Sequence, residues 1–372
     1  MSALSVCFPF IGDSVGGSQI SAITLIEALD RTRFSPRVVL HTQGPLMGYL
    51  EDRDIPFEFL PLSAYVGSGR GMGSYIRHFA STTPVLWHYL RRHAIALVHT
   101  QDGRMNQTWG LPARLAGIPF VWHQRSKYAP SRITHHTMAL ASRIACNSEF
   151  VRQGLPSPMR AKAVVVDNPF DTDHAPVSVS ATEAPALLPG TKCVTFVGNM
   201  TAQKRPEVFL QTAAIISDTF EMPVQFLLFG RDRENLQPRL TALADCLGIA
   251  DAIRFMGFHD PITPWLAASD LLLAPEVDDA FGRTLVEAML AGTPVVASNS
   301  GGHKEIIETG RTGLLVPPDD ARSMASAALS LLNDAVQAGE ITERARDVAT
   351  ARYSVQAHAN AMMEIYDQLR TA

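Results

Sequence analysis

The sequence predicts an α/β protein of two doubly wound domains, each a parallel sheet with helices on both faces. Three observations carry that reading. Short apolar runs alternate with helical patterns from end to end, and the runs are continuous rather than alternating, as in strands buried on both faces. The chain has 372 residues, enough for two ordinary domains. A stretch rich in Pro, Ala and Ser, TDHAPVSVSATEAPALLPG from Thr172 to Gly190, has no usable period and reads as a linker. The expected organisation is an N-terminal domain over 1–180, a C-terminal domain over 181–350 and a final helical segment over 351–372.

In the first half the strand-like runs are Leu4–Phe8, Val38–His41, Ala96–His99, Phe120–Trp122, Arg143–Ala145 and Ala163–Val166. Helical patterns fall between them at Ser18–Leu29, Tyr75–Arg92 and Thr108–Leu115. In the second half the strands are Val194–Val197, Gln225–Phe229, Ile253–Met256, Leu271–Ala274, Pro294–Ala297 and Gly313–Val316. Helices fit Pro206–Ser217, Pro238–Leu247, Pro261–Ala268, Thr284–Ala291, Ala321–Leu332 and Val355–Leu369. Doubly wound sheets put ligands at the carboxyl ends of their strands. If the two crevices face each other, the active site is the interdomain cleft.

Hydrophobic residues make up 46% of the chain and charged residues 18%, so it is globular with real cores. No apolar run reaches the ~18 residues that a membrane span needs. The start, MSALSVCFPFIG, lacks a basic region and a long enough apolar core for a signal peptide, and reads as a first strand. Cys7, Cys146, Cys193 and Cys246 have no metal-ligand spacing and sit in or beside apolar runs, which suggests buried free thiols and a cytoplasmic address. The net charge of −4 is uneven: +5 over residues 1–180 and −9 over the rest, with nine of the twelve histidines in the first part. A basic first half could attract an anionic acceptor or a membrane surface, where the plain alternative is ordinary solvated faces. The segment 75–93, YIRHFASTTPVLWHYLRRH, mixes aromatic, apolar and basic residues as interfacial helices do, although Pro84 interrupts it and a core-packed helix pair fits too. Nothing resembles a nucleic-acid module, and no Gly-x-Ser-x-Gly elbow is present.

The most specific stretch is DAFGRTLVEAMLAGTPVVASNSGGHKE, Asp279 to Glu305. Asp279 precedes Phe281-Gly282, and Glu287 follows Asp279 with seven residues between. Gly282 opens a helix whose first N–H groups, near Arg283, Thr284 and Leu285, lack intrahelical partners and favour an anion. Glu287 lies about one turn into that helix. An acid on each side of an anion site suits a ligand with a charged middle and hydroxylated ends, such as a nucleotide sugar. This string resembles the nucleotide-sugar segment of the family-four retaining glycosyltransferases, which have the GT-B architecture and usually carry Glu, seven residues, Glu. Here the first acid is Asp279, whose carboxylate reaches roughly 1.5 Å less.

The resemblance implies roles elsewhere. Gly16-Gly17 follows the first strand, as the family's glycine-rich loop does, and would bring N–H groups to a phosphate or acceptor; a tight turn is the plain alternative. In VGNMTAQKRPE, Gly198 and Lys204 match the family pattern, but Asn199 replaces its arginine; Arg205, or Arg231 after Gly230, would have to compensate. His123 stands where the family has a histidine near the transferred sugar. Free imidazole there could donate a hydrogen bond to a sugar hydroxyl or stabilise developing charge. Gln124, Arg125 and Lys127 follow it and could hold an acceptor, and His259 could line the base pocket. Glu276 and Asp278 lie near Asp279, but the spacing favours Asp279. The terminal helix would cross back to the first domain.

The implied activity is transfer of a sugar from an NDP-sugar, UDP or GDP favoured, to a hydroxyl acceptor in glycan, glycolipid or small-molecule glycoside synthesis, with retention. No cofactor or obligatory metal is expected, nor any nucleic-acid partner. The acceptor could be anionic or lipid-linked, with peripheral contact at the inner face of the membrane. His123, Asp279 and Lys204 are the expected catalytic residues. Rivals on the same fold are a pseudo-glycosyltransferase, a nucleotide-sugar epimerase and a catalytically weak nucleotide-sugar binder.

Overall fold

A computed structural model describes residues 3–62, 65, 72–172 and 190–370. Most of the linker stretch lies outside these residues. The chain divides into two compact units: residues 1–169 with 355–372, and residues 170–354.

The first unit runs β1 (Leu4–Phe10), α1 (Gly17–Ala28), β2 (Phe34–Leu40), α2 (Pro45–Glu51), β3 (Phe57–Phe59), α3 (Met72–Arg92), β4 (Leu97–Thr100), α4 (Gly103–Ala116), β5 (Phe120–Gln124), α5 (Arg132–Ala139), β6 (Arg143–Cys146), α6 (Glu149–Gln153), α7 (Ser157–Arg160) and β7 (Ala163–Val165). Its seven strands pair in parallel in the order β3-β2-β1-β4-β5-β6-β7. The order reverses between β1 and β4, the switch point at which doubly wound sheets open a crevice. Asp102 caps α4, its carboxylate accepting from Arg104 N and Met105 N. Helix α3 continues through Pro84, so the proline does not divide the segment as its sequence suggests.

The second unit runs β8 (Lys192–Val197), α8 (Pro206–Thr219), β9 (Val224–Phe229), α9 (Gln237–Cys246), β10 (Ile253–Gly257), α10 (Thr263–Ala267), β11 (Leu271–Ala274), α11 (Arg283–Ala291), β12 (Val295–Ser298), α12 (His303–Ile306), β13 (Leu314–Val316), α13 (Ala321–Asn333) and α14 (Ala335–Tyr353). The six strands are parallel in the order β10-β9-β8-β11-β12-β13, with the switch point between β8 and β11. Both faces are dry: Leu271 and Leu273 join one core cluster, and Leu272 and Ala274 join the other. That is why the strand reads as an unbroken apolar run.

The final helix, α15 (Val355–Arg370), belongs to the first unit. Its Ala359, Met362, Met363, Ile365, Tyr366 and Leu369 sit in one cluster with Phe8, Ile26 and Phe34. Cys7, Cys146 and Cys193 are buried, and burial pushes the Cys146 thiol up to about 12. Cys246 corrects the sequence reading: it is exposed, at the end of α9. Among the described residues no helix is long and apolar enough to cross a membrane.

Candidate active site

The switch point of the second unit lies between the ends of β8 and β11. The loop after β8 carries Gly198, Asn199, Lys204 and Arg205, and the loop after β11 carries Glu276 and Asp279. Lys204 Nζ lies 2.6 Å from Asp279 Oδ2 and 3.2 Å from Glu276 Oε1. Burial alone would lower the Lys204 pKa, but the two carboxylates raise it above its ordinary value. Glu276 is 1% exposed. Burial pushes its carboxyl up, the Lys204 charge and His303 pull it down, and it settles at about 2. Sequence spacing passed over Glu276 in favour of Asp279; folding makes it the buried member of the pair.

Asp279 does two things. Oδ2 meets Lys204, and Oδ1 accepts from Phe281 N at 3.2 Å. The second bond is an Asx turn, a two-residue closure that short carboxylates make and that suits aspartate at this position. The loop sits low because of Gly301 (φ +56), where a Cβ would lie 2.4 Å from Asp279 O. Gly282 (φ +106) opens α11 in the left-handed region, and a Cβ there would meet His303 at 3.0 Å. His303 is fully buried; its Nδ1 faces Ser298 O at 3.1 Å and its Nε2 lies 3.5 Å from Glu276 Oε1.

Ligand atoms of Glu276, Asp279 and His303 lie within 4.8 Å of one another, the one such group among the described residues. The Lys204 ammonium already sits between the two carboxylates, so a cation would have to displace it.

Glu287 sits one turn into α11 and pairs with Arg283 at 3.4 Å. The Arg283 guanidinium also lies 4.4 Å over the Phe170 ring. Phe281 is buried against Phe170 and Tyr353, and Leu285 is core, with its N–H donated to Gly282 O at 3.1 Å. Thr284 lies in the first turn of α11. Asn199 Oδ1 accepts from Arg231 N at 3.1 Å, which ties the loop after β8 to the loop after β9. Arg205 reaches Asp319 at 2.7 Å and Ala202 O at 2.6 Å; Arg231 stacks 4.2 Å over Phe258. Gly198 N donates to Phe229 O at 2.8 Å and Gly230 N to Gly257 O at 2.7 Å. His259 stands edge-on to Phe229 and Trp265, 5.4 and 5.2 Å away.

In the first unit, Gly16 caps α1 with extended backbone, and Gly17 is the first residue of that helix. His123 is the last residue but one of β5 and is fully buried. Its neighbours turn inward: Gln124 accepts from Trp122 Nε1 at 2.7 Å and donates to Ser126 O at 2.7 Å, and Arg125 binds Gln101 and Asn168. Lys127 is exposed, 5.8 Å from the Phe150 ring. Burial, the Arg125 charge and the neighbouring imidazoles hold His99 and His123 well below the ordinary imidazole range. His358 of α15 stacks on His123 with ring centroids 6.3 Å apart.

The family model described as Glycosyl transferases group 1 matches residues 191–334, and that described as Glycosyltransferase Family 4 matches residues 15–174. The chain belongs to this glycosyltransferase family. Its two parallel-sheet units are those of the GT-B architecture. The D-inositol 3-phosphate glycosyltransferase of Corynebacterium urealyticum is 33% identical over 231 residues, 59% of this chain and 54% of that protein. The phosphatidyl-myo-inositol mannosyltransferase of Mycobacterium leprae is 30% identical over 262 residues, 69% of this chain and 63% of that protein. The chain spans about half the length of the curated relatives it matches first. Among solved structures, Anabaena HepE in complex with UDP and glucose has a TM-score of 0.81 at 21% identity, covering 98% of this chain and 99% of that one. At that identity the likeness speaks for the fold alone.

Proposed function

We propose that this family member transfers a sugar from a nucleoside diphosphate sugar, with UDP or GDP as nucleotide, to a hydroxyl acceptor, with retention and without a resident metal. One observation carries the reading: Lys204 and Asp279 meet at the β8/β11 switch point, beside the Gly282-opened end of α11, with Glu287 one turn further in. An ammonium has three N–H donors. Two are directed at Asp279 and Glu276, and the third remains for a diphosphate oxygen. Together with the start of α11 it stabilises the charge that grows on the leaving group, and such stabilisation usually contributes more to the rate than any other single effect. Asp279 accepts from hydroxyls of the sugar and Glu287 from the ribose. Lys204 pairs with both Glu276 and Asp279 and so weakens both as nucleophiles. The acceptor hydroxyl then attacks from the leaving-group face, and a phosphate oxygen takes its proton. The acceptor class follows the relatives, whose names include inositol phosphate and phosphatidyl-myo-inositol.

The test is release of free nucleotide from a panel of UDP-, GDP-, ADP- and dTDP-sugars, with a chelator and a mixed acceptor extract. The expected result is extract-dependent release from one donor. Glu287→Ala should weaken donor binding by about 1.5–3 kcal/mol, the worth of a charge-assisted hydrogen bond. Release that stops on chelation removes metal independence. Nucleotide binding without turnover favours the pseudo-enzyme, a reading that Asn199 supports because its neutral side chain is committed to Arg231 N.

A further inference from the structure

Arg125 is a pure donor. Its Nε and Nη2 lie 3.3 and 3.1 Å from Gln101 Oε1, so that atom is the amide oxygen and Gln101 Nε2 is the amino group. Gln101 Nε2 lies 2.8 Å from His99 Nε2 and donates to it. His99 Nε2 therefore carries a lone pair, and the His99 proton sits on Nδ1, 2.5 Å from the Tyr366 hydroxyl. His123 Nδ1 is 3.2 Å from the same His99 Nε2, with the ring planes within 8°. Two lone pairs facing each other there would repel in a dry interior, whereas a proton on His123 Nδ1 makes a hydrogen bond. Arg125 Nη2 has a second N–H besides the one given to Gln101 and, 3.4 Å from His123 Nδ1, pulls the other way, but across the longer distance.

We propose that Gln101 and His99, oriented by Arg125, are positioning residues that fix neutral His123 as the Nδ1–H tautomer, leaving Nε2 a hydrogen-bond acceptor for a substrate hydroxyl. His123 Nε2 is buried and has no partner among the described residues. His358 obeys the same logic: its Nδ1 donates to Asp167 O at 2.6 Å, and its buried Nε2 is likewise an acceptor without a partner. The polarity is opposite to a histidine that donates to a sugar hydroxyl. The proposal rests on the reading of His123 as a substrate contact.

The experiment is imidazole ¹⁵N spectroscopy of the full chain labelled at histidine, with His123 assigned by the signals lost in His123→Gln. The expected spectrum shows His123 neutral, protonated at Nδ1 and bare at Nε2; a proton on Nε2 overturns the proposal. This reading needs no folded variant beyond the one that assigns it, and selective labelling replaces that variant if it fails to fold. In Gln101→Glu the carboxylate accepts from His99 Nε2, so the His123 proton should move to Nε2. Turnover should then fall about tenfold, the worth of one neutral hydrogen bond, with nucleotide affinity unchanged. A tautomer that does not move overturns the proposal. A tautomer that moves while turnover holds supports the positioning chain and removes His123 as a substrate contact, leaving the donor site at Lys204 untouched.

Discussion

Glu276 is 1% exposed and ionised down to about pH 2, because Lys204 and His303 outweigh the cost of burying its charge. Its ordinary value is 4.5, so the folded state holds the proton more weakly than the unfolded chain does. The stability it contributes is full above about pH 4.5 and disappears as pH falls towards about 2. Glu276→Gln should remove that acid dependence and cost about 3 kcal/mol at neutral pH. That is the lower end for breaking a buried pair, because Asp279 remains to hold Lys204. Urea unfolding at pH 7 and pH 3 reads both effects; equal losses at the two pH values would sink the assignment. Asp279→Glu tests the companion idea that aspartate is required by its Asx turn to Phe281 N. The longer acid should keep the Lys204 pair and lose the turn, lowering the melting temperature.

Helix α15 brings a buried histidine to the first unit. Burial and the Arg125 charge hold His358 at about 3, against the opposing hydrogen bond to Asp167 O. Its folded pKa lies below the ordinary 6.5, so its contribution is present above pH 6.5 and lost as pH falls towards about 3. Each histidine kept neutral while its unfolded counterpart charges costs about 1.4 kcal/mol per pH unit in that window. Denaturant midpoints at pH 7, 6 and 5 should fall steadily, and His358→Gln should flatten the slope; an unchanged slope rejects the assignment. Helix α3 makes a different prediction. Ile76, Val85 and Trp87 are exposed beside Arg77 and Arg91. Sedimentation with anionic vesicles, lost in the Ile76→Ser, Trp87→Ser double variant, would support a lipid-facing role, and no sedimentation of the wild type would end it.

The same elements show what a sequence can reveal. Strand β11 was legible because four consecutive apolar residues need two dry faces. Helix α14 was not: its buried positions include Ala345 and Ala349, too small to draw an apolar stripe among charged neighbours. Strand β3 has three residues and no period to detect. Asp279 and Glu287 stand out by local spacing and Lys204 by resemblance to the family pattern, while the meeting of Lys204 with Asp279, like Glu276, His303 and the Gln101–His99–Tyr366 chain, depends on contacts between segments far apart in sequence.

At the scale of the whole chain, the two units differ in connectivity. The second is one continuous segment, residues 170–354, with its own core clusters and the Lys204 site entirely within it. The first is discontinuous, and without α15 it loses Met362, Met363, Ile365, Tyr366 and Leu369 from its core. At about 1.5–3 kcal/mol per large buried side chain, those five account for as much free energy as the roughly 5–15 kcal/mol that stabilises a whole domain. A fragment of residues 170–354 should therefore unfold cooperatively and bind nucleotide within about tenfold of the full chain, or 1.4 kcal/mol. A fragment of residues 1–169 should show no cooperative melt until a peptide of residues 355–372 is added. Calorimetry and nucleotide titration on the three species separate the cases. If 1–169 melts cooperatively alone, α15 is a covering rather than a part of that core; if 170–354 folds but binds no nucleotide, the site needs groups from outside the second unit.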